Sequence, residues 1–223
     1  GKSLIDLKFY EKAVKKFNIS LSIDKKNHDT HFNLGIAYFE LGKFDESIRH
    51  YSSAIKLNDK IDKFYYNIGI VYSKIGKNKQ AIDYFKKSLQ LNQKNIKALN
   101  YLASQYISEN KYELAATYLN DAIAINPKYA KAYNNLGALY LQKNNYKLAL
   151  KNFENAYALD NQLIMSGIQK HFLKRFFCDW SENEELQSIL IDTINSDVKV
   201  SPWFCLAMED NRENHFIRAK NFS

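Results

Sequence analysis

Residues 28–61 read HDTHFNLGIAYFELGKFDESIRHYSSAIKLNDKI, and residues 62–95 read DKFYYNIGIVYSKIGKNKQAIDYFKKSLQLNQKN. Laid over each other without a gap, the two carry the same kinds of residue at the same places, and residues 96–129 and 130–163 join them in register. Counted from the first residue of each stretch, position 7 is Leu34, Ile68, Leu102 and Leu136, and position 8 is always small, as Gly35, Gly69, Ala103 and Gly137. Position 11 is Tyr38, Tyr72, Tyr106 and Tyr140, and position 20 is Ser47, Ala81, Ala115 and Ala149. Position 24 is large, as Tyr51, Phe85, Leu119 and Phe153, and position 27 is small again, as Ala54, Ser88, Ala122 and Ala156. Such a period decides the architecture before any motif does: a single unit cannot bury its own apolar face and must stack on its neighbours.

Positions 4, 7, 8 and 11 follow the i, i+3, i+4, i+7 spacing of one helical stripe, and positions 20, 24 and 27 do the same for a second helix. Small residues let the two backbones approach, and the rings opposite them fill the grooves. Only 7 Gly and 2 Pro are present, too few to punctuate the many turns of a sandwich or barrel, so the chain is expected to be all-α. Over residues 1–163 the pattern resembles the tetratricopeptide repeat family, whose unit has 34 residues. That resemblance implies a right-handed superhelix of stacked helical hairpins, an α–α solenoid, with repeats at 28–61, 62–95, 96–129 and 130–163. Tyr10, Ala13, Phe17 and Ser20 fit positions 17, 20, 24 and 27 of an earlier unit, so residues 1–27 are expected to be a repeat cut within its first helix, from a protein that continues upstream. Gly1-Lys2-Ser3 lacks the preceding glycine and strand of a phosphate-binding loop.

Function classes fall away on composition and spacing. No apolar run nears the ~18 residues of a membrane span, and GKSLIDLKFY has no signal-peptide layout, so a soluble, cytoplasmic chain is expected. The net charge of +8 comes from lysines interleaved with acids, which favours acidic protein partners over nucleic acid. Cys178 and Cys205 lack metal-ligand spacing and are expected to be buried thiols. His28, His31, His50, His171 and His215 are scattered without a metal or acid–base pattern, and Glu184 and Glu185 point to different sides of their helix. No catalytic residue, metal site or cofactor is therefore expected, and a homodimer is left open.

What remains is the concave face, lined by first-helix residues at positions 2, 5, 6, 9 and 13. Position 6 is Asn33, Asn67, Tyr101 and Asn135. A carboxamide donates and accepts at once, so an asparagine ladder suits the backbone of an extended polypeptide. Lys63, Lys97 and Lys131 at position 2 add a cationic row that Asp29 interrupts. Chaperone-clamping members of the family carry asparagine at position 9, where this chain has Ile36, Ile70, Ser104 and Ala138.

After Asn161 one more first helix is expected, over about 162–177, with His171 at position 8 and no partner helix behind it. Then come Cys178-Asp179-Trp180, a capping box at Ser181 to Glu184, and an amphipathic helix carrying Leu186, Ile189, Leu190 and Ile194. Pro202 closes a linker, and a last helix is expected from near Asp210. Residues 164–223 thus form a capping and linker segment, with Trp180, Trp203 and Phe204 as packing anchors. An unpaired helix, then C-D-W, then an E-E-L helix and S-P-x-x-x-L-A resembles the junction of protein O-linked N-acetylglucosaminyltransferases and Spindly-like relatives. In that family such a junction leads into a two-lobed glycosyltransferase using a UDP-sugar. The resemblance implies that Asn33, Asn67 and Asn135 belong to a ladder holding acceptor polypeptides, from which Tyr101 departs, and that the nucleotide-sugar-binding residues lie beyond Ser223. The alternative is a free-standing scaffold with no enzymatic domain.

Overall fold

A computed structural model describes residues 8–177 together with Ile5, Asp179, Ser188 and Ile189. Among the described residues ten α-helices follow one another: α1 Tyr10–Ile23, α2 His28–Glu40, α3 Phe44–Leu57, α4 Asp62–Lys74, α5 Asn78–Leu91, α6 Ile96–Ser108, α7 Tyr112–Ile125, α8 Ala130–Gln142, α9 Tyr146–Leu159 and α10 Ile164–Phe176. Among the described residues there is no strand, and the fold is an all-α solenoid of helical hairpins. From α2 on, even-numbered helices begin at position 1 and odd-numbered ones at position 17. The features expected at Cys178, Trp180, the capping box, Pro202, Trp203, Phe204, Cys205 and the final helix lie outside the described residues.

Two turns repeat with the period, and each has a local cause. The residue at position 15 has positive φ throughout: Lys8 (59°), Gly42 (71°), Gly76 (74°), Asn110 (58°) and Asn144 (56°). Glycine and asparagine tolerate this left-handed conformation best, which suits them to ending a helix. The chain then reverses so that the N–H of position 16 donates to the carbonyl of the position 11 tyrosine, as Lys43 to Tyr38 (2.8 Å), Lys77 to Tyr72 (2.9 Å), Lys111 to Tyr106 (2.8 Å) and Asn145 to Tyr140 (2.8 Å). Between repeats, the position 31 side chain accepts from the N–H two residues on: Asp24 from Lys26, Asn58 from Lys60, Asn92 from Lys94, Asn126 from Lys128 and Asp160 from Gln162. These side chains mimic a backbone turn, so the connection holds its shape with proline at only Pro127.

The chain divides into two compact units, Gly1–Ile125 and Asn126–Ser223. In the first, each helix from α1 to α7 packs on its neighbours in sequence, both within a repeat and from one repeat to the next. Ala13, Phe17, Leu34 and Ala37 form one buried cluster, and Tyr51, Ile68 and Val71 another. The closest approach is at position 8. A Cβ placed on Gly35 would lie 2.5 Å from the Tyr51 ring, and one on Gly69 would lie 2.8 Å from the Phe85 ring. The third repeat has Ala103 at position 8 and, opposite, a leucine instead of a ring, Leu119. Both are fully buried. A second periodic contact stacks the position 11 tyrosine on the residue at position 23: Tyr38 on His50 (5.3 Å, 12°), Tyr72 on Tyr84 (5.3 Å, 16°) and Tyr106 on Tyr118 (5.7 Å, 12°).

His50 also meets His31, Nδ1 to Nδ1 at 3.0 Å. Two imidazoles that close share one hydrogen and cannot both take a charge cheaply. Burial, then His31 and Arg49, push the His50 pKa from 6.5 down to about 4. The unfolded chain thus binds the proton more readily, so the native state loses stability as pH falls from 6.5 to about 4. His50→Tyr places the residue of the next two repeats there and is expected to flatten that loss. Urea unfolding across the pH range checks it, and an unchanged pH slope contradicts it.

In the second unit α8 packs on α9 and α9 on α10. Ala149, Phe153 and Leu173 form its buried cluster, and a Cβ on Gly137 would lie 2.8 Å from Phe153. In α10, position 8 is filled by the buried His171, and the tight approach moves to Gly167 at position 4, where a Cβ would lie 2.8 Å from Tyr157 and 3.0 Å from Ile189. Ile189 is itself buried.

Candidate functional site

In α2 and α4 the residues at positions 2, 6, 9 and 13 share one face, spaced i, i+4, i+7 and i+11. On α2 these are Asp29, Asn33, Ile36 and Glu40; on α4 they are Lys63, Asn67, Ile70 and Lys74; on α6 they are Lys97, Tyr101, Ser104 and Ser108. Helices α2 and α4 touch, as do α4 and α6, so the three stripes lie side by side in the first unit. The α2 stripe starts and ends acidic, and the α4 stripe starts and ends basic. The facing position 2 residues meet, with Lys63 Nζ 3.8 Å from Asp29 Oδ1. Lys63 also sits over the rings of Phe32 (4.9 Å) and Phe64 (5.6 Å). Both charges are exposed, so the pair orders the side chain more than it stabilises the fold. Lys97 is exposed.

Asn33 and Asn67 have one geometry. Asn33 Nδ2 donates to the Asp29 carbonyl at 2.8 Å, and Asn67 Nδ2 donates to the Lys63 carbonyl at 2.7 Å. Each amide is therefore held by its own helix, one turn back, with its oxygen and second N–H left for another molecule. Tyr101 takes this place on α6 and is held differently, stacked on Phe85 (5.6 Å, 23°) and edge-on to Tyr66 (5.8 Å, 66°). Asn135 and Lys131 occupy the same register on α8 in the second unit, where Lys131 is exposed and Asn135 Oδ1 accepts from Asn134 Nδ2 at 3.3 Å.

Beside the stripes lies a hollow of about 510 Å³. Phe39, Phe44, Ile70 and Tyr101 wall it, and the exposed Glu40 and Lys74 stand at its edge. Ser73 also faces it, its Oγ accepting from Gln105 Nε2 at 2.8 Å and so free to donate its own hydrogen. Ile70, Glu40, Lys74 and Tyr101 are at positions that sequence reasoning assigned to the concave face. Phe39 and Ser73 at position 12 and Phe44 at position 17 are not; the aromatic pair Phe39 and Phe44, 5.9 Å apart, was the available signal. Among the described residues no group of three or more His, Cys, Asp or Glu side chains could hold a metal ion, and no helix is long and apolar enough to cross a membrane.

Family models described as TPR repeat match residues 1–42, 35–76 and 103–144, and models described as Tetratricopeptide repeat match 63–95 and 130–163. The chain belongs to the tetratricopeptide repeat family. No curated protein matches it. Solved structures with the same tetratricopeptide fold include MamA from Desulfovibrio magneticus RS-1, at 20% identity and TM-score 0.63, covering 77% of this chain and 97% of that one. YrrB, described as a TPR protein with an unusual peptide-binding site, aligns at 16% identity and TM-score 0.60 over 92% of this chain and 97% of its own. PilW, a type IV pilus biogenesis factor, aligns at 15% identity and TM-score 0.74 over 84% and 89%. At these identities the likeness concerns the tetratricopeptide fold alone.

Proposed function

We propose that the tetratricopeptide repeats bind an extended polypeptide along the stripes of α2, α4 and α6. The observation that carries this is the matched pair Asn33 and Asn67, each carboxamide pinned by one hydrogen bond to its own helix and open outward. Packed helices lie about 8–10 Å apart, roughly three residues of extended chain, so the two amides would grip backbone groups about three residues apart. Gripping the backbone leaves side-chain identity to other contacts. Lys63, Lys97 and, on the second unit, Lys131 favour acidic polypeptides, an attraction that salt weakens. Titrating the isotope-labelled chain with a peptide selected from a random library tests the face. Amide shifts are expected on α2, α4 and α6; shifts confined to α3, α5 and α7 would place binding on the opposite side.

Within that activity, the role we infer is acceptor recognition for an O-linked N-acetylglucosaminyltransferase-like enzyme working in the cytoplasm. Its support is the order of sequence features around Cys178-Asp179-Trp180. A reading frame that continues past Ser223 into two α/β lobes with UDP-sugar-dependent transfer supports it, and a stop codon there leaves a free-standing scaffold.

A further inference from the structure

We infer that the hollow between α2, α4 and α6 is a specificity pocket taking one aromatic or long aliphatic side chain of the bound polypeptide, with a carboxylate of that polypeptide toward Lys74. This rests on the polypeptide-binding face proposed above and names what that face selects. The hollow, about 510 Å³, lies in line with the amides: Ile70 is one turn along α4 from Asn67, and Tyr101 occupies the register of Asn33 and Asn67 on α6. Where three complete repeats offer a carboxamide at position 6, this one offers a ring. That ring is fixed by Phe85 and Tyr66, so it is a preformed wall whose ordering cost is already met in the free protein. Phe39, Phe44 and Ile70 complete an apolar lining, of which Phe39 and Phe44 pack against the Tyr51 core, and Ser73 supplies one donor. A concave apolar site with a few convergent polar groups binds a side chain of matching shape.

The charges at its edge give the occupant a direction. Glu40 ends the α2 stripe and Lys74 ends the α4 stripe, while the exposed Lys97 lies at the start of the α6 stripe, one turn before Tyr101. An acid in the peptide is repelled on the α2 side and attracted on the α4 and α6 side. The favoured ligand is therefore a linear segment with a bulky apolar residue and, within about three residues, an aspartate or glutamate.

The test selects random linear peptides on the full chain and resynthesises the winners with a fluorescent label. They are expected to share one aromatic, leucine or methionine with an acid close by. Tyr101→Asn and Ile70→Ser in the protein, and serine for the apolar residue in the peptide, are each expected to weaken binding about tenfold. Combining protein and peptide changes is expected to cost little more than either alone, as for groups in contact. Both protein substitutions use residues the chain itself carries at those repeat positions, Asn67 and Ser104 among them. The peptide substitution reads the pocket without touching the fold. Peptides with no common apolar residue, or affinities that these changes leave unmoved, overturn the pocket. If Asn33→Ala/Asn67→Ala still weakens those same peptides, the polypeptide-binding face stands without its pocket; if that variant also binds normally, or no peptide is selected at all, both fall.

Discussion

Gly69→Leu is expected to lower the unfolding free energy by about 3 kcal/mol, the upper end of typical overpacking costs. Gly69 is buried on α4, where even a Cβ would come within 2.8 Å of Phe85 Cε1 and 2.9 Å of Cδ1. Phe85 has no accessible surface, and its ring is backed by Tyr101 at 5.6 Å and Tyr66 at 6.2 Å, so it has nowhere to withdraw. A leucine must therefore push α4 and α5 apart, which opens gaps along the rest of their contact. Gly35 against Tyr51 and Gly137 against Phe153 have the same geometry. The chain's own exception follows the rule: Ala103 is accepted where position 24 is Leu119 and no ring needs the space. Circular dichroism of thermal and urea unfolding checks the prediction, and a variant that unfolds like the parent shows that the backbones do not meet there.

That contact was legible in the sequence because close packing constrains residue size at a fixed offset, and size shows in the letters. The tyrosines at position 11 were legible for the same reason. The left-handed position 15 was harder to see, since Gly42, Gly76, Asn110 and Asn144 share a tolerance for positive φ and little else, and Lys8 lacks even that. The stack of position 11 on position 23 escaped because His50 stands among tyrosines and hides the aromatic row. In α10 the letters showed the large His171 at position 8 but not that Gly167, one turn earlier, makes the close approach to Tyr157.

The candidate site divides in the same way. Asn33, Asn67 and Tyr101 could be placed by counting, whereas the bond of each amide to its own helix depends on a side-chain rotamer that no spacing reports. The hollow is built from positions 6, 9, 12, 13, 15 and 17 of three different repeats, so it appears only once the helices are set beside one another. Asn135 also receives a bond from its neighbour Asn134, at the position where Phe32 and Tyr66 precede Asn33 and Asn67.

The affinity of Asn33→Ala/Asn67→Ala for a selected linear peptide tests the central claim most directly. Each lost amide removes about one outward hydrogen bond, worth roughly 1 kcal/mol, so the pair is expected to weaken binding by about 30-fold. Both side chains are partly exposed and their inward bonds only decorate helix carbonyls, while alanine is the better helix former. Helical content and melting are therefore expected to stay at or above those of the parent. Weakened binding with an intact fold is the predicted result; an unchanged dissociation constant would mean that polypeptides do not lie along the faces of α2 and α4.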